Sequence, residues 1–171
     1  MVIITPILIV LNLLVFLYTK ESYDLHVRYG LNMLFVEKDY YWQPFTSMFM
    51  HADWSHLLMN MAVLFQFGML LEKELDAHWR YVVIYFVGGL ITSFLSFLYI
   101  SNYDQAVNLV GASGAISVLF GWFALKDPQL RGGLIVTMLL ISFVPLLMGM
   151  NIAWYAHLIG FGLGWLAGYV I

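Results

Sequence analysis

A serine in a glycine-rich turn is the first candidate for chemistry in this sequence. The run Gly111-Ala112-Ser113-Gly114 leads directly into an apolar segment that ends at Leu125. Glycine allows another backbone to approach closely, and the first N–H groups of a helix are unpaired and partially positive. An oxyanion formed beside Ser113 would be stabilised there. The same pattern is also typical of close helix packing with Ser113 as an ordinary N-cap.

A histidine on a glycine-lined helix face is the matching candidate for a base. Close packing of this face against the Ser113 helix would bring the imidazole within reach of Ser113 Oγ, which pairs a nucleophile with a general base. The alternative is a buried neutral histidine that bonds a backbone carbonyl. At 100° per residue the face spans roughly 80° and comprises His157, Gly160, Gly164 and Gly168.

Two further polar residues open an earlier apolar segment. His56 and Asn60 are four residues apart, so both can donate hydrogen bonds from one helix face. His51, if helical, would point about 140° away from His56, which favours a structural hydrogen-bonding role. A zinc site made of His51, His56 and His157 is the competing interpretation. Its spacing is poor, because metal-binding helices prefer histidines four apart and usually add a carboxylate, so we expect no metal.

The composition places these residues in a membrane. The chain has 171 residues, of which 63% are hydrophobic and 10% are charged, against roughly 25% charged in average soluble domains. A soluble domain of this length has too little interior for so much apolar surface. Cysteine is absent, which excludes a disulfide framework and a thiol nucleophile. A net charge of −3 argues against binding of nucleic acid.

Hydropathy predicts an all-α membrane protein with six transmembrane helices in a single domain over 1–171. The N-terminal segment has neither a basic region nor a small-residue cleavage site, which predicts a retained helix rather than a signal peptide. The predicted spans are Val2–Tyr18, His56–Leu71, Tyr81–Ile100, Ser113–Leu125, Gly133–Met148 and Ile152–Ile171.

The basic residues predict an orientation. Lys73, Arg80, Lys126 and Arg131 lie in the connections after the second and fourth spans, which places both termini in the cytoplasm. The long first connection, Thr19–Ser55, then lies outside. Its many aromatic residues favour a folded element in the outer leaflet, with a solvated loop as the alternative.

Ser113 and His157 are predicted to lie at similar depth below the outer face. Counting 1.5 Å per residue from Lys126 places Ser113 on the order of 10 Å below the outer boundary. His157 lies roughly 8 Å deep by the same rise. The stretch Ser101–Ala112 must therefore dip into the protein, which is tolerated only beside a protein-enclosed or water-filled cavity.

Together, in order and on the predicted helices, these motifs resemble those of the rhomboid family of intramembrane serine proteases. The resemblance covers essentially the whole six-helix core and is closest to the minimal prokaryotic form. The three matching runs are His51-Ala-Asp-Trp-Ser-His56-Leu-Leu-Met-Asn60, Gly111-Ala112-Ser113-Gly114 and His157-Leu-Ile-Gly160-Phe-Gly-Leu-Gly164.

The resemblance implies a Ser113–His157 dyad without an acid, and an oxyanion hole formed by His56, Asn60 and the Ser113 N–H. It implies cleavage of transmembrane protein substrates near their outer ends, within the lipid bilayer and with no cofactor. Glu72 resembles a family glutamate that ties the cytoplasmic ends of helices together. Structural support is expected from Gly111, Gly114, Gly160, Gly164, His51 and Glu72.

The sequence departs from the family pattern at two positions. Trp42 resembles the tryptophan of a Trp-Arg pair, but Gln43 follows it, so the salt bridge of that pair cannot form. Ser117 stands where many relatives carry an aromatic residue that stacks on the histidine. Asp53 and Asp104 are the outer-side acids that could complete a triad, and we expect neither to bond His157.

Two other classes of function stay open. One is a catalytically inactive rhomboid-like protein that binds transmembrane helices. The other is a small channel or transporter, for which inverted repeats or charged residues at mid-membrane depth would be expected. The sequence has neither feature.

Overall fold

The computed structural model describes residues 2–75, 78–103 and 105–171. Regular structure in these ranges is helical throughout, apart from an isolated antiparallel bridge between Leu31 and Leu109. The all-α prediction is therefore confirmed for the described residues.

Helices occupy each of the six segments that hydropathy selected, and three short α-helices and a 3₁₀ helix, Ser47–Phe49, lie in the first connection. Helices α5 and α6 each contain one π-helical turn, at Leu64–Gly68 and Val83–Val87. In order, the helices of the described ranges are α1 Ile4–Thr19, α2 Tyr23–Tyr29, α3 Leu34–Glu37, α4 Gln43–Thr46, α5 Trp54–Glu74, α6 His78–Tyr103, α7 Ser113–Lys126, α8 Pro128–Leu147 and α9 Trp154–Ala167.

Length and composition mark several of these helices as suited to a membrane. Within the described part of the chain, α5, α6 and α8 are the three that are long and apolar enough to cross a bilayer. Helices α1 and α7 are shorter apolar helices. The protein is thus a helical membrane protein.

The predicted start of α8 was wrong. The helix begins at Pro128, five residues before the predicted Gly133. The Asp127 carboxylate accepts hydrogen bonds from the N–H groups of Gln129 and Leu130 at 2.8 and 3.3 Å, which makes Asp127 an N-cap. Proline is suited to the first helical position because its missing N–H would be unpaired there. Residues that hydropathy assigned to a loop therefore start a helix.

The other boundaries also moved. Helix α5 continues through the polar run after Leu71, and α6 extends past the predicted Tyr81–Ile100 at both ends. Polar side chains stop an apolar run but do not stop backbone hydrogen bonding. Helix α9 is shorter than the predicted Ile152–Ile171 because Ala153 has a non-helical conformation (φ −80°, ψ 65°) and turns follow Ala167. The stretch expected to dip toward Ser113 starts only after Tyr103.

Helix α7 forms the centre of the molecule. All ten of its residues from Ala115 to Ala124 are buried, as expected for a helix that is apolar on every face. It contacts α9 backbone to backbone: a β-carbon on Gly164 would overlap the carbonyl oxygen of Val118. A β-carbon on Gly121 would likewise overlap the carbonyl oxygen of Phe161. These two glycines fix the distance between α7 and α9.

The first connection is organised by an amide rather than by a salt bridge. Gln43 is fully buried, and its Nε2 donates to the carbonyls of Val27 and Arg28 at 3.1 and 3.3 Å. Its Oε1 accepts from the N–H of Asn32 at 3.2 Å. Trp42 Nε1 donates to the Arg28 carbonyl at 3.0 Å. Neutral hydrogen bonds thus hold this segment where the Trp-Arg pair is missing.

Glu72 joins the far end of α5 to the start of α1. Its Oε1 accepts from the N–H groups of Ile3 and Ile4 at 2.6 and 2.7 Å, and its Oε2 accepts from the N–H and the hydroxyl of Thr5, both at 2.9 Å. A carboxylate at a helix N-terminus satisfies unpaired donors and complements the helix dipole. Glu72 therefore caps α1 from another helix.

We expect Glu72→Gln to lower the free energy of unfolding by about 2–3 kcal/mol, because charge-assisted hydrogen bonds are lost and an N–H group would face other donors. The measurement is thermal and denaturant unfolding of purified protein in detergent micelles. The exposed Glu74→Gln on the same turn is the matched control. Equal stability of the two variants would contradict a capping role. His56 lies about 24 Å along α5 from Glu72, so the folded fraction should keep its site geometry.

Candidate active site

The Ser113 turn is held by backbone hydrogen bonds to the first connection. Leu31 and Leu109 exchange N–H···O bonds of 2.9 and 2.8 Å, and the N–H of Gly111 donates to the Ser47 carbonyl at 2.9 Å. Gly111 has φ +127°, a conformation that side chains rarely tolerate. Ser113 is the first residue of α7. It is half-buried, so its hydroxyl remains partly accessible.

His56 directs a ring nitrogen at this turn. A β-carbon on Gly111 would lie 2.8 Å from His56 Nε2 and 3.6 Å from Ser113 Oγ, so both atoms flank the same small space. The N–H of Ala52 approaches His56 Nδ1 at 3.5 Å. With Nδ1 as the acceptor, the neutral ring carries its proton on Nε2. His56 thus offers an N–H donor beside Ser113.

The start of α5 fixes His56 and Asn60. Asp53 is the N-cap, and its Oδ1 accepts from the N–H of His56 at 2.8 Å. Asn60 lies one turn further on, is buried, and donates from Nδ2 to the His56 carbonyl at 2.9 Å. An amide nitrogen carries two hydrogens, so one remains for another acceptor.

His51 supports His56 directly. The orientation away from His56 required a helix through His51, and that condition is not met because α5 begins at Trp54. The two rings instead contact edge to face, with centroids 5.0 Å apart, and His51 Nδ1 lies 3.3 Å from the Phe49 carbonyl. Burial, with a smaller effect of His56, lowers the pKa of His51 to about 3. His51 is therefore a neutral packing partner.

The glycine face of α9 packs against α7 next to His157 and Ser113. A β-carbon on Gly160 would overlap the carbonyl oxygen of Gly114 and lie 2.9 Å from Ser117 Cβ. Gly160 follows His157 by one turn and Gly114 follows Ser113 directly, so α7 and α9 are in contact beside both residues. His157 is half-buried.

The contact between the two helices does not include a direct Ser113–His157 hydrogen bond. Across residues 2–75, 78–103 and 105–171, none of 3.5 Å or less joins Ser113 Oγ to the His157 ring. His157 Nδ1 instead lies 3.4 Å from Ser142 Oγ on α8. Catalytic hydrogen bonds are often long before substrate binds, so the separation is compatible with either a resting pair or an idle one.

A small cavity with several hydroxyl groups in its lining adjoins the nucleophile candidate. It lies between the first connection, α6 and the start of α7, and four of its lining residues carry hydroxyl groups besides Ser113. Hydroxyl groups are the partners that an ordered water needs. The hydroxyl-bearing neighbours are Ser47, Thr92, Ser93 and Ser96.

Comparison with known proteins assigns the family. The sequence profile of the Rhomboid domain matches residues 38–171, a range that contains every candidate site residue. The chain belongs to the rhomboid family. Its three motifs thus lie within the part of the chain that defines the membership.

Bacterial and plant rhomboid relatives are similar over most of this chain. The putative rhomboid protease YdcA of Bacillus subtilis is 31% identical over 76% of this chain and 67% of its own length. The rhomboid protease GlpG of Haemophilus influenzae is 25% identical over 98% of this chain and 90% of its own. RHOMBOID-like protein 4 of Arabidopsis thaliana is 32% identical over 88% of this chain, but this chain covers only 39% of that protein.

The two acids considered for a triad and the possible metal site can be compared with the structure of this rhomboid-family chain. Asp53 is occupied as the N-cap of α5. Asp104, the other acid considered, lies outside the described residues. Among the residues that are described, no three histidines or acids are grouped so that they could hold a metal ion.

Ser142 is a site residue that the sequence reasoning missed. It is fully buried, and its hydroxyl contacts the His157 ring and, at 3.9 Å, Met138 Sδ. The available signal was a hydroxyl inside an apolar span, the same criterion that selected Ser113. Serine is close to neutral in hydropathy, so it did not stand out in the α8 segment.

Proposed function

We propose that this rhomboid-family chain is an intramembrane serine endopeptidase that cleaves transmembrane segments of membrane proteins. The observation that carries the proposal is the backbone contact of α7 with α9 beside Ser113 and His157, with His56 Nε2 at the same point. A hydroxyl, an imidazole and an N–H donor at one spot are the parts needed for acyl transfer.

The proposed reaction has two steps. His157 Nε2 takes the Ser113 proton while Oγ bonds to the carbonyl carbon of the substrate, and the oxyanion accepts from His56, Asn60 and the Ser113 N–H. The C–N bond then breaks, and the amine leaves with the proton from His157. In the second step His157 takes a proton from a water molecule, whose oxygen attacks the acyl carbon, and Ser113 leaves with the proton from His157. The hydroxyl-lined cavity beside Ser113 supports the supply of that water.

The proposed arrangement in the membrane has six spans in one domain, both termini in the cytoplasm and the active site near the outer face. The short α7 suits this arrangement, because its first residue then lies below the outer surface. A substrate helix would enter between α5 and α8, both of which carry exposed apolar side chains such as Met59 and Leu140. The turn at Gly149 (φ +77°) at the end of α8 is the proposed lid.

A rhomboid-like protein without activity is the alternative, and several plant relatives carry only the name RHOMBOID-like. The unbonded pair of Ser113 and His157 is the observation in its favour. A fluorophosphonate probe separates the two. An activated serine forms a covalent adduct at Ser113, whereas an idle serine stays unlabelled.

We expect His56→Ala to reduce kcat by about 10²–10³-fold, the usual effect of losing one oxyanion donor. Asn60→Ala should likewise leave a measurable trace of activity, because either variant keeps two of the three proposed donors. The measurement is the cleavage rate of a transmembrane substrate in liposomes. Asn102→Ala is the matched control for Asn60→Ala. Asn102 also donates to the carbonyl four residues earlier, but it is exposed. If His56→Ala keeps full activity, His56 is not an oxyanion donor.

A further inference from the structure

His157 has a hydrogen-bonding partner that the proposed dyad does not use. Ser142 Oγ on α8 lies 3.4 Å from His157 Nδ1, and Ser142 is fully buried. A hydroxyl can donate or accept at this contact, and the two choices have opposite consequences. If it donates, Nδ1 holds the lone pair and Nε2 holds the proton. If it accepts, Nε2 is the basic nitrogen.

The neighbours of Ser142 make the second choice available, because they offer another acceptor for its hydrogen. Met138 Sδ lies 3.9 Å from Ser142 Oγ and 3.9 Å from Ser117 Oγ. The Ser117 hydroxyl has a stronger acceptor, the Ser113 carbonyl at 2.7 Å. Each hydroxyl has one hydrogen, so the Ser117 hydrogen goes to the carbonyl and the thioether is left for Ser142. Ser142 can then donate to Met138 and accept from His157 Nδ1–H.

We propose that Ser142, with its hydrogen directed to Met138, is a positioning residue that holds His157 in the tautomer with a basic Nε2. This inference rests on the proposed function. The Nδ1 proton stays on the ring throughout, while Nε2 takes the Ser113 proton and passes it to the leaving amine. Ser142 Oγ then accepts from the imidazolium, the role that a carboxylate has in a Ser-His-Asp triad.

The test is a matched pair of variants, Ser142→Thr and Ser142→Val. Both side chains have the same shape and the same β-branching, so their difference isolates the hydroxyl. Ser142→Thr should stay within about threefold of the unmodified protein, and Ser142→Val should lose about tenfold in kcat, the value of one hydrogen bond. KM should be equal in the two variants, because Ser142 contacts Nδ1 of His157 and is not proposed to contact the substrate.

A spectroscopic readout tests the tautomer itself. Nitrogen-15 NMR of histidine-labelled protein in bilayers distinguishes protonated from unprotonated ring nitrogens, with His157 assigned by its loss in His157→Gln. The unmodified protein and Ser142→Thr should show His157 protonated on Nδ1, and Ser142→Val should show a mixture. Thr137→Val, an exposed change on the same helix, is the control and should alter neither readout.

The outcomes are distinct. Equal kcat and equal tautomers in the Thr and Val variants, or a proton on Nε2 in the unmodified protein, would overturn the role of Ser142. If Ser142→Val does not fold, Ser142→Ala removes the same oxygen without adding bulk and replaces it in both measurements. A protein that cleaves nothing would defeat the proposed function, yet the NMR comparison would still decide the tautomer.

Discussion

Ser113→Ala is expected to remove all measurable cleavage of a transmembrane substrate, a loss of about 10⁶-fold in kcat by comparison with serine proteases whose nucleophile has been replaced. Among the described residues Gly111 to Gly114, Ser113 alone has a side chain that can attack a carbonyl carbon, and α7 begins at this residue. The measurement is gel detection of the two products after reconstitution of purified protein with the substrate in liposomes.

The matched control for this variant is Ser55→Ala, which removes an exposed hydroxyl next to His56. Ser55→Ala should cleave at the rate of the unmodified protein, which would show that the loss in Ser113→Ala is specific to the Ser113 hydroxyl. Labelling by a fluorophosphonate probe should follow the same pattern and vanish only in Ser113→Ala. Cleavage by Ser113→Ala at an undiminished rate would end the serine mechanism.

Much of the candidate site could be proposed from the sequence because its parts are local in sequence. Each part is a short run of residues: the Gly111–Gly114 turn, His56 and Asn60 four residues apart, and the glycines that follow His157 at helical spacing. Their positions relative to one another needed only the assumption that α7 and α9 pack closely, and the overlap at Gly164 supplies that contact.

The missed features depend on contacts between distant segments. Ser142 matters only because α8 places its hydroxyl on a ring 15 residues later. Gln43 looked like a lost salt bridge, yet its amide bonds a backbone segment 15 and 16 residues earlier. The start of α8 was missed because hydropathy measures side chains, whereas the Asp127 cap acts on backbone N–H groups.

Ser117 illustrates how a departure from the family pattern can be compatible with a working site. Ser117 has a short side chain, and a β-carbon on Gly160 would lie 2.9 Å from its β-carbon, so α9 approaches α7 closely at this point. Its hydroxyl bonds the Ser113 carbonyl and so stays within α7. The His157 ring is contacted from α8 instead, by Ser142.

Gly164→Ala is expected to destabilise the protein by about 3 kcal/mol or more and to reduce kcat of the remaining folded protein by about 10²-fold. The new β-carbon would overlap the Val118 carbonyl oxygen and lie 2.7 Å from the Val118 carbonyl carbon and 2.9 Å from the Trp122 nitrogen. Backbone atoms cannot rotate away as side chains do. The helices α7 and α9 must therefore separate, which moves His157 relative to Ser113.

Gly162→Ala, on the same helix, is the control that makes this test specific. Within the described part of the chain, a β-carbon on Gly162 would meet no atom within 4 Å, and alanine favours helix more than glycine by about 1 kcal/mol. Gly162→Ala should therefore be as stable as the unmodified protein or more so, and fully active. Thermal unfolding in detergent and cleavage rates per folded molecule measure both variants. If Gly164→Ala matched Gly162→Ala in both, the close contact of α7 with α9 would not be what brings the hydroxyl and the imidazole together.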